Sequence, residues 1–193
     1  YAAKWTDATT AAAGTVNLAA NMTSGGSGAV WLELDGYAGA ATNLFGATSG
    51  TTFSSGTVKI YAKNGTLKNL AGGAGNGGTV AAVDLIFGTG ANIVSRTFAG
   101  GQGSVTGAVK TQIDGGEFGG VFVGGTYSNK KSTSVGGVNL TIDGGTFHDN
   151  VYGGSQVMYA SGKTNTVGSI TVNMNGVTNV NGIFSLYAGG MAA

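Results

Sequence analysis

The chain has 193 residues, with 39 glycines, no proline and no cysteine, and only 9% of its residues are charged. The lack of cysteine excludes a disulfide-stabilised scaffold and thiol chemistry. A formal net charge of +1 excludes electrostatic attraction to nucleic acid or to an anionic membrane surface as the main function. No apolar run approaches the roughly 20 residues of a membrane-spanning helix, so no membrane span is predicted.

The first 14 residues, Tyr1 to Gly14, match no other part of the chain. We predict that residues 1–14 form an N-terminal arm or cap, and that residues 15–193 form one repeat domain. A first residue other than Met indicates a processed protein or a fragment. Trp5 makes this arm a candidate contact with another copy of the protein, whereas an arm folded back as a cap on its own coil would favour a monomeric module.

Seven short units follow, in which apolar and polar residues alternate. This alternation is typical of a strand with one buried face. The residues predicted to point inward are Val16, Leu18 and Ala20; Val30, Leu32 and Leu34; Val58, Ile60 and Ala62; Val83, Leu85 and Phe87; Val109, Thr111 and Ile113; Val138, Leu140 and Ile142; and Ile170, Val172 and Met174. Val80 is out of phase with the fourth unit, which predicts a bulge near Ala81 and Ala82.

Glycine-rich corners separate the predicted strands. The sixth unit shows the pattern most clearly, because its strand ends at Asp143-Gly144-Gly145 and a second short strand ends at Gly153-Gly154. Glycine accepts a positive φ without steric cost, and Asp or Asn favours the turn before it. We therefore predict tight turns at Gly115, Gly144 and Gly176, with a positive φ at or beside each of them.

The spacing of the units indicates the architecture. Their first inward residues stand at positions 30, 58, 80, 109, 138 and 170, and a period of this size is typical of a solenoid. A propeller blade would need about 40 residues, and leucine-rich repeats would add helical segments. The absence of proline fits strands that are bonded on both edges. We predict an all-β fold, a parallel β-solenoid (β-helix) of about six to seven coils with glycine-rich corners.

Two segments, TIDGGTFHDNVYGGS and SLYAGGMAA, resemble the repeats of secreted bacterial autotransporter-type and adhesin-like β-solenoid passengers. Those repeats combine a short β-run, Asn or Asp followed by Gly-Gly-Thr, a spacer and Val-Tyr-Gly-Gly. The resemblance covers residues 105–193 well and the first half of the chain loosely. It implies an extracellular or cell-surface β-helix in bacteria that serves in adhesion, surface display or fibre building.

The corner carboxylates are the first candidates for chemistry. Asp114 and Asp143 would be neighbours if their units form adjacent coils, and paired carboxylates can hydrolyse glycosides. Asn64 and Asn175 occupy the same corner position in other units, however, and Asp-Gly and Asn-Gly both suit the turn itself. We therefore predict no catalytic residue and no enzymatic activity.

Metal and cofactor sites are not predicted either. The segment GGAGNGG begins like a calcium-binding repeat, but Gly77 stands where the ligating Asp is required. His148 is the only histidine, and without cysteine or a second histidine a transition-metal site is not expected. We expect His148 to lie in an exposed loop.

Exposed aromatic and apolar residues are better candidates for binding. Trp31 and Tyr61 occupy outward positions in successive units, where rings can form a sugar-binding or subunit-contact face. The last unit ends on an apolar pattern without a charged cap. The candidate assembly or binding surface therefore comprises Trp5, Trp31, Tyr61, Ile183, Phe184 and Tyr187.

The functional expectation is a structural extracellular protein, a β-solenoid subunit that assembles head to tail into a bacterial surface fibre or filament. Solenoids without polar capping units tend to stack end to end, and low charge weakens the repulsion between copies. The expected partner is the protein itself, as a homopolymer. The alternative is a monomeric adhesin module that binds a glycan or a host protein, and the third possibility is a polysaccharide-active β-helix enzyme.

Overall fold

The computed structural model describes residues 2–5, 14–17, 27–47, 49–50, 52–129, 131–158, 162–175 and 185–192. All of the regular structure in these residues is β-strand. The strands are β1 (Ala2–Trp5), β2 (Gly14–Asn17), β3 (Ser27–Ala47), β4 (Thr52–Ala74), β5 (Thr79–Phe98), β6 (Ser104–Ile113), β7 (Glu117–Phe118), β8 (Phe122–Val123), β9 (Tyr127–Ser128), β10 (Thr133–Ile142), β11 (Thr146–Phe147), β12 (Val151–Tyr152), β13 (Gln156–Val157), β14 (Asn165–Val167), β15 (Ile170–Met174), β16 (Leu186–Tyr187) and β17 (Met191–Ala192). A search of the same residues finds no helix long and apolar enough to cross a membrane.

The strands stack in parallel along one axis. On the longest face their order is β1-β3-β4-β5-β6-β10-β14, and β15 continues this face beside β10. The register is maintained from coil to coil, since Val58 pairs with Val83, Val83 with Val109, and Val109 with Val138. The chain is therefore an all-β parallel β-solenoid of about five turns, which confirms the predicted fold class.

Each later coil has one long side and three short sides. In the coil of residues 104–128 the long side is β6, and the short sides are the two-residue strands β7, β8 and β9. The sequence pattern predicts only one short strand after the corner. The structure has three, because Gly119-Gly120 and Gly124-Gly125 each turn the chain before a longer strand can form.

The core runs continuously along the axis, and the inward residues of the long side form one wall of it. All fifteen inward residues from the second to the sixth unit are buried: Val30, Leu32, Leu34, Val58, Ile60, Ala62, Val83, Leu85, Phe87, Val109, Thr111, Ile113, Val138, Leu140 and Ile142. Their outward neighbour Asn139 is exposed. Burial of each Val, Leu, Ile or Phe side chain stabilises the fold by about 1.5–3 kcal/mol.

An aromatic cluster fills the inside of the short sides. Phe118 stacks on Phe147 of the next coil with ring centroids 4.8 Å apart and an interplanar angle of 9°. Phe87 meets Phe118 edge to face at 5.1 Å, and Phe122 meets Phe118 edge to face at 5.4 Å. Such aromatic pairs add about 0.5–1.5 kcal/mol beyond the buried area.

The first unit differs from the sequence prediction. Val16 pairs with Leu44, which lies on a short side, and not with the long strand that contains Val30. The long side of that level is instead β1, in which Ala3 pairs with Leu32 and Trp5 pairs with Leu34. Residues 2–5 thus form a parallel strand on their own chain. Leu18 and Ala20 lie outside the described residues.

The predicted irregularity beside Ala81 and Ala82 is present. The register between β5 and β6 shifts between Val80 and Val83, where β6 contributes one more residue than β5. Val80 pairs with Val105 across this break and is fully buried. The break therefore allows both Val80 and Val83 to face the core.

Positive φ angles occur at the predicted corners. Gly116 has a φ of 102° and Gly145 a φ of 114°, each directly after the predicted positions Gly115 and Gly144. At these angles any residue with a Cβ is strained, so the second glycine of each Asp-Gly-Gly corner is required by the backbone. Gly176 lies outside the described residues.

Candidate functional site

A groove on the side of the solenoid crosses three successive coils and has a volume of about 440 Å³. Its lining combines apolar, polar and charged side chains: Val94, Ser95, Arg96, Phe98, Val121, Tyr127, Asp149, Asn150, Tyr152, Gln156 and Met158. We call this feature the axial groove. Because stacked coils lie about 4.8 Å apart, the groove extends roughly 10 Å along the axis.

Aromatic rings form the floor of the axial groove. Phe98 and Tyr127 stack with centroids 4.4 Å apart and an interplanar angle of 6°. Together with Val123 and Tyr152 they form a second apolar cluster outside the main core. Burial, together with the adjacent Tyr187, raises the pKa of the Tyr152 phenol, so this hydroxyl stays protonated at neutral pH.

Gln156 is the unusual polar residue of the axial groove. Its side chain is 4% exposed, and its Oε1 has no hydrogen-bond partner within the described part of the chain. The backbone around it is well bonded, since Gln156 N donates to Thr126 O at 2.9 Å and Gln156 O accepts from Asn165 Nδ2 at 2.7 Å. Buried acceptors without a partner are rare and destabilising, and they often occur at functional sites.

The sequence interpretation did not identify the axial groove. Arg96 lies two coils away from the coil that contains Asp149 and Gln156, and only the stacking register brings the three to one surface. The available signal was the repeat position of Phe98, Val123 and Tyr152, which precedes Ala99-Gly100 in one coil and a Gly-Gly pair in each of the next two.

The corner carboxylates lie side by side, as predicted for adjacent coils. Gln112 Nε2 donates to Asp114 Oδ1 and to Asp143 Oδ2, both at 2.7 Å. Hydrogen bonds from Asn175 and then Gln112 lower the pKa of Asp143 below its ordinary value. Because a general acid for glycoside hydrolysis needs a raised pKa, Asp143 does not have the character of such an acid.

His148 does not lie free in a loop. Its Nε2 is 3.0 Å from Glu117 Oε1 on the preceding coil, and its side chain is about one-fifth exposed. No group of three or more His, Cys, Asp or Glu residues able to hold a metal ion occurs in the described ranges.

The outward aromatics of the long side are not stacked on each other. Trp31 pairs with Lys59, whereas Tyr61 pairs with Glu33, so the two rings belong to neighbouring columns. Trp31 is 38% exposed and Tyr61 is half-buried. Trp5 is placed in β1 by its backbone, and Ile183 and Phe184 lie outside the described residues.

Within the described residues, β14, β15, β16 and β17 each pair with one strand of the preceding coil and with no strand on the other side, and we call this side of the last coil the open edge. Ile170 and Met174 are 37% and 42% exposed, although they continue the columns of the fully buried Val138 and Ile142. Val172 is half-buried between them. Tyr187 stacks on Tyr152 at 4.9 Å and is exposed on its other side.

Comparison with protein-family models, curated proteins and solved structures finds no match for this chain. The stacked parallel strands show that the β-solenoid part of the resemblance is correct.

Proposed function

We propose that the protein is a structural subunit that stacks head to tail with copies of itself into a fibre at a bacterial surface. The observation that carries the proposal is the open edge of the last coil. Ile170 and Met174 are exposed there, although the residues that stack with them in the inner coils are buried. Covering them with another coil removes apolar surface from water and bonds the free strand edge.

The two open edges are compatible in direction. Every strand pair among the described residues is parallel, so the outer edge of β1 in one copy has the direction needed to follow β15 of another copy. Hydrogen bonds between coils run both ways along the axis: Gly153 N donates to Tyr187 O, and Asn175 N donates to Ile142 O. Each open edge therefore carries both donors and acceptors, which a matching edge can pair.

In the proposed stack, the N-terminal segment has a different role from the contact with a neighbouring copy that the sequence predicts. Residues 2–5 pair with their own chain, so the contact proposed here does not use them as an arm along a neighbouring copy. In the proposed fibre β1 would supply the pairing edge at this end, whereas a segment that caps its own coil would favour the monomeric module. The extracellular location and the kinship with adhesin-like passengers rest on the resemblance of residues 105–193.

Stacking is tested by charging the apolar edge. Met174→Lys places a cation on the inward side of β15, which the next copy would cover. Asn173→Lys adds the same charge to the outward side of the same strand. We expect the wild type and Asn173→Lys to form filaments in electron micrographs, and Met174→Lys to sediment as a monomer of about 18.8 kDa.

Thermal unfolding of the three proteins serves as the folding control, because Met174 is already exposed and its replacement leaves the inner coils intact. A wild type that stays monomeric at the highest soluble concentration contradicts the proposal. Filaments that form equally well with Met174→Lys contradict it too.

A further inference from the structure

We infer that copies meet in one register, in which β15 of one copy pairs with β1 of the next while β16 pairs with β2, so that Tyr187 lies opposite Asn17. This inference rests on the proposed stacking and adds the strand pairs and the residues that meet. It starts from the first level of the solenoid, where β1 and β2 each pair with β3 and with no other strand among the described residues.

The register follows from the columns of paired residues that run along the solenoid. One column crosses a short side of every described level: Asn17, Phe45, Ala71, Phe98, Val123, Tyr152 and Tyr187. Another follows the long side: Ala3, Leu32, Ile60, Leu85, Thr111, Leu140 and Val172. Each column begins on β1 or β2 and ends on β15 or β16. A second copy that continues both columns therefore places Asn17 beside Tyr187 and Ala3 beside Val172.

Shifted registers are disfavoured by the presence of two contacts. A shift of one residue would set Ile170 and Met174 against the solvent-facing phase of the partner strand and leave their apolar surface in water. A shift of two residues keeps the phase of β15. In the inner coils, however, a corner at Gly116 or Gly145 separates the long side from the short sides, so the two sides run in different directions. A movement along β15 would therefore carry β16 away from β2.

Tyr187 makes this register testable, because its column contains aromatic rings. Tyr187 stacks on Tyr152 with ring centroids 4.9 Å apart and an interplanar angle of 10°, and it is 48% exposed. Phe45 and Phe98 are the other aromatic residues of the column. Asparagine stands at its opposite end, at position 17. A ring introduced there would extend the aromatic stack across the contact between copies.

The first test is therefore Asn17→Tyr, which should lower the concentration needed for filament formation about threefold to tenfold. The matched control is Thr15→Tyr, which adds the same ring two residues earlier on β2. That ring would meet Tyr187 only in a contact shifted by two residues, so the control should keep the wild-type threshold. Sedimentation across a concentration series measures the threshold, and the melting temperature at low concentration shows whether each variant is folded.

The second test uses introduced cysteines, since the chain has none of its own. Six coil spacings separate Asn17 from Tyr187 along their column. This distance of roughly 29 Å excludes a disulfide within one copy. Partners across a parallel strand pair lie about 4.8 Å apart, which a disulfide can bridge. Oxidation of the double variant Asn17→Cys, Tyr187→Cys with oxidised glutathione should therefore give a ladder of covalent multimers on a non-reducing gel.

The control double variant is Thr15→Cys, Tyr187→Cys. Its thiol-bearing residues would lie about 8 Å apart in the proposed register, which is too far for a disulfide. Multimers from this control pair alone, or equal filament thresholds for Asn17→Tyr and Thr15→Tyr, overturn the register while leaving the stacking of copies intact. A wild type that forms no filaments, with no multimers from either pair, overturns the stacking and the register together. A lower threshold for Asn17→Tyr alone, with multimers from the Asn17 and Tyr187 pair alone, supports the register.

Discussion

Thr111 is a polar side chain inside the apolar core. It pairs with Leu85 on one side and Leu140 on the other, is 3% exposed, and its Oγ1 has no hydrogen-bond partner in the part of the chain described. The alternation of its strand predicts this inward position correctly. The same pattern gives no indication that the hydroxyl lacks a partner.

Replacing Thr111 with Val should stabilise the fold by about 1 kcal/mol or more, because a methyl group replaces a hydroxyl that is buried without a bond. Thr126→Val is the control, since Thr126 Oγ1 is fully buried but lies 2.8 Å from Thr133 Oγ1 and 3.2 Å from Ser155 Oγ. That variant should lose about 1–3 kcal/mol. Urea unfolding measures both, and a destabilised Thr111→Val would contradict the expectation.

Asp143 should make the stability depend on pH in the acid range. Its pKa is lowered in the folded protein by hydrogen bonds from Asn175 and Gln112, so the ionised form is favoured by folding. This contribution is present above the unfolded pKa, near 3.8, and is lost as the pH falls through the lower folded value. Asp143→Asn should flatten the fall in unfolding free energy below about pH 4.

Gln112→Met should flatten the same acid limb, because it removes one of the two donors to the Asp143 carboxylate. Denaturant unfolding at several pH values between about 2.5 and 6 supplies the measurement. An acid limb that is identical in wild type and both variants would show that these hydrogen bonds do not favour the ionised carboxylate.

At the scale of the element, the Gly-Gly corners are required by the stacking distance between coils. A Cβ on Gly154 would lie 2.8 Å from Gly190 N and 2.9 Å from Ile170 Cδ1 of the next coil. Gly189 occupies the equivalent position in the last coil, as the pairing of Tyr152 with Tyr187 shows, and a Cβ there meets nothing within 4 Å. The same position is therefore tightly constrained at Gly154 inside the stack and open at Gly189 in the last coil.

Gly154→Ala should cost about 1–3 kcal/mol of unfolding free energy, because the backbone of the neighbouring coil must move. Gly189→Ala should stay within about 0.5 kcal/mol of wild type. Thermal or chemical unfolding at low protein concentration, where copies stay apart, distinguishes the two variants. Equal losses would mean that the corner is constrained by its own turn and not by the next coil.

The sequence predicts well those elements in which apolar and polar residues alternate with a regular period. Val138, Leu140 and Ile142 alternate with polar residues over a full strand, and Asp143-Gly144-Gly145 marks its end, so both the strand and the corner were predictable. The two-residue strands β7, β8 and β9 have no period, because each is too short to alternate. The axial groove depends on the register between coils, which single units do not encode.

At the scale of the whole molecule, the open edge and the axial groove are separate surfaces. The open edge lies at the end of the solenoid, whereas the axial groove crosses three inner coils. A fibre of stacked copies would therefore repeat the groove once in every subunit.

Gly189→Ala also tests the assembly. Its Cβ points to the space where another coil would lie, as the equivalent Cβ on Gly154 would meet the last coil. We expect the variant to unfold like wild type when monomeric but to form filaments only at higher concentration. Sedimentation across a concentration series measures this difference, and an unchanged filament threshold would contradict the proposed contact between copies.

The parallel stack also determines how the protein would respond to force. The hydrogen bonds between coils, such as Gly153 N to Tyr187 O, run along the axis, so a pull on the two ends of the chain loads them one after another. Each coil that peels away releases about 25–30 residues, or roughly 80–100 Å of extended chain. Under tension the molecule would therefore lengthen in steps at modest force, and it would absorb mechanical work without breaking a covalent bond.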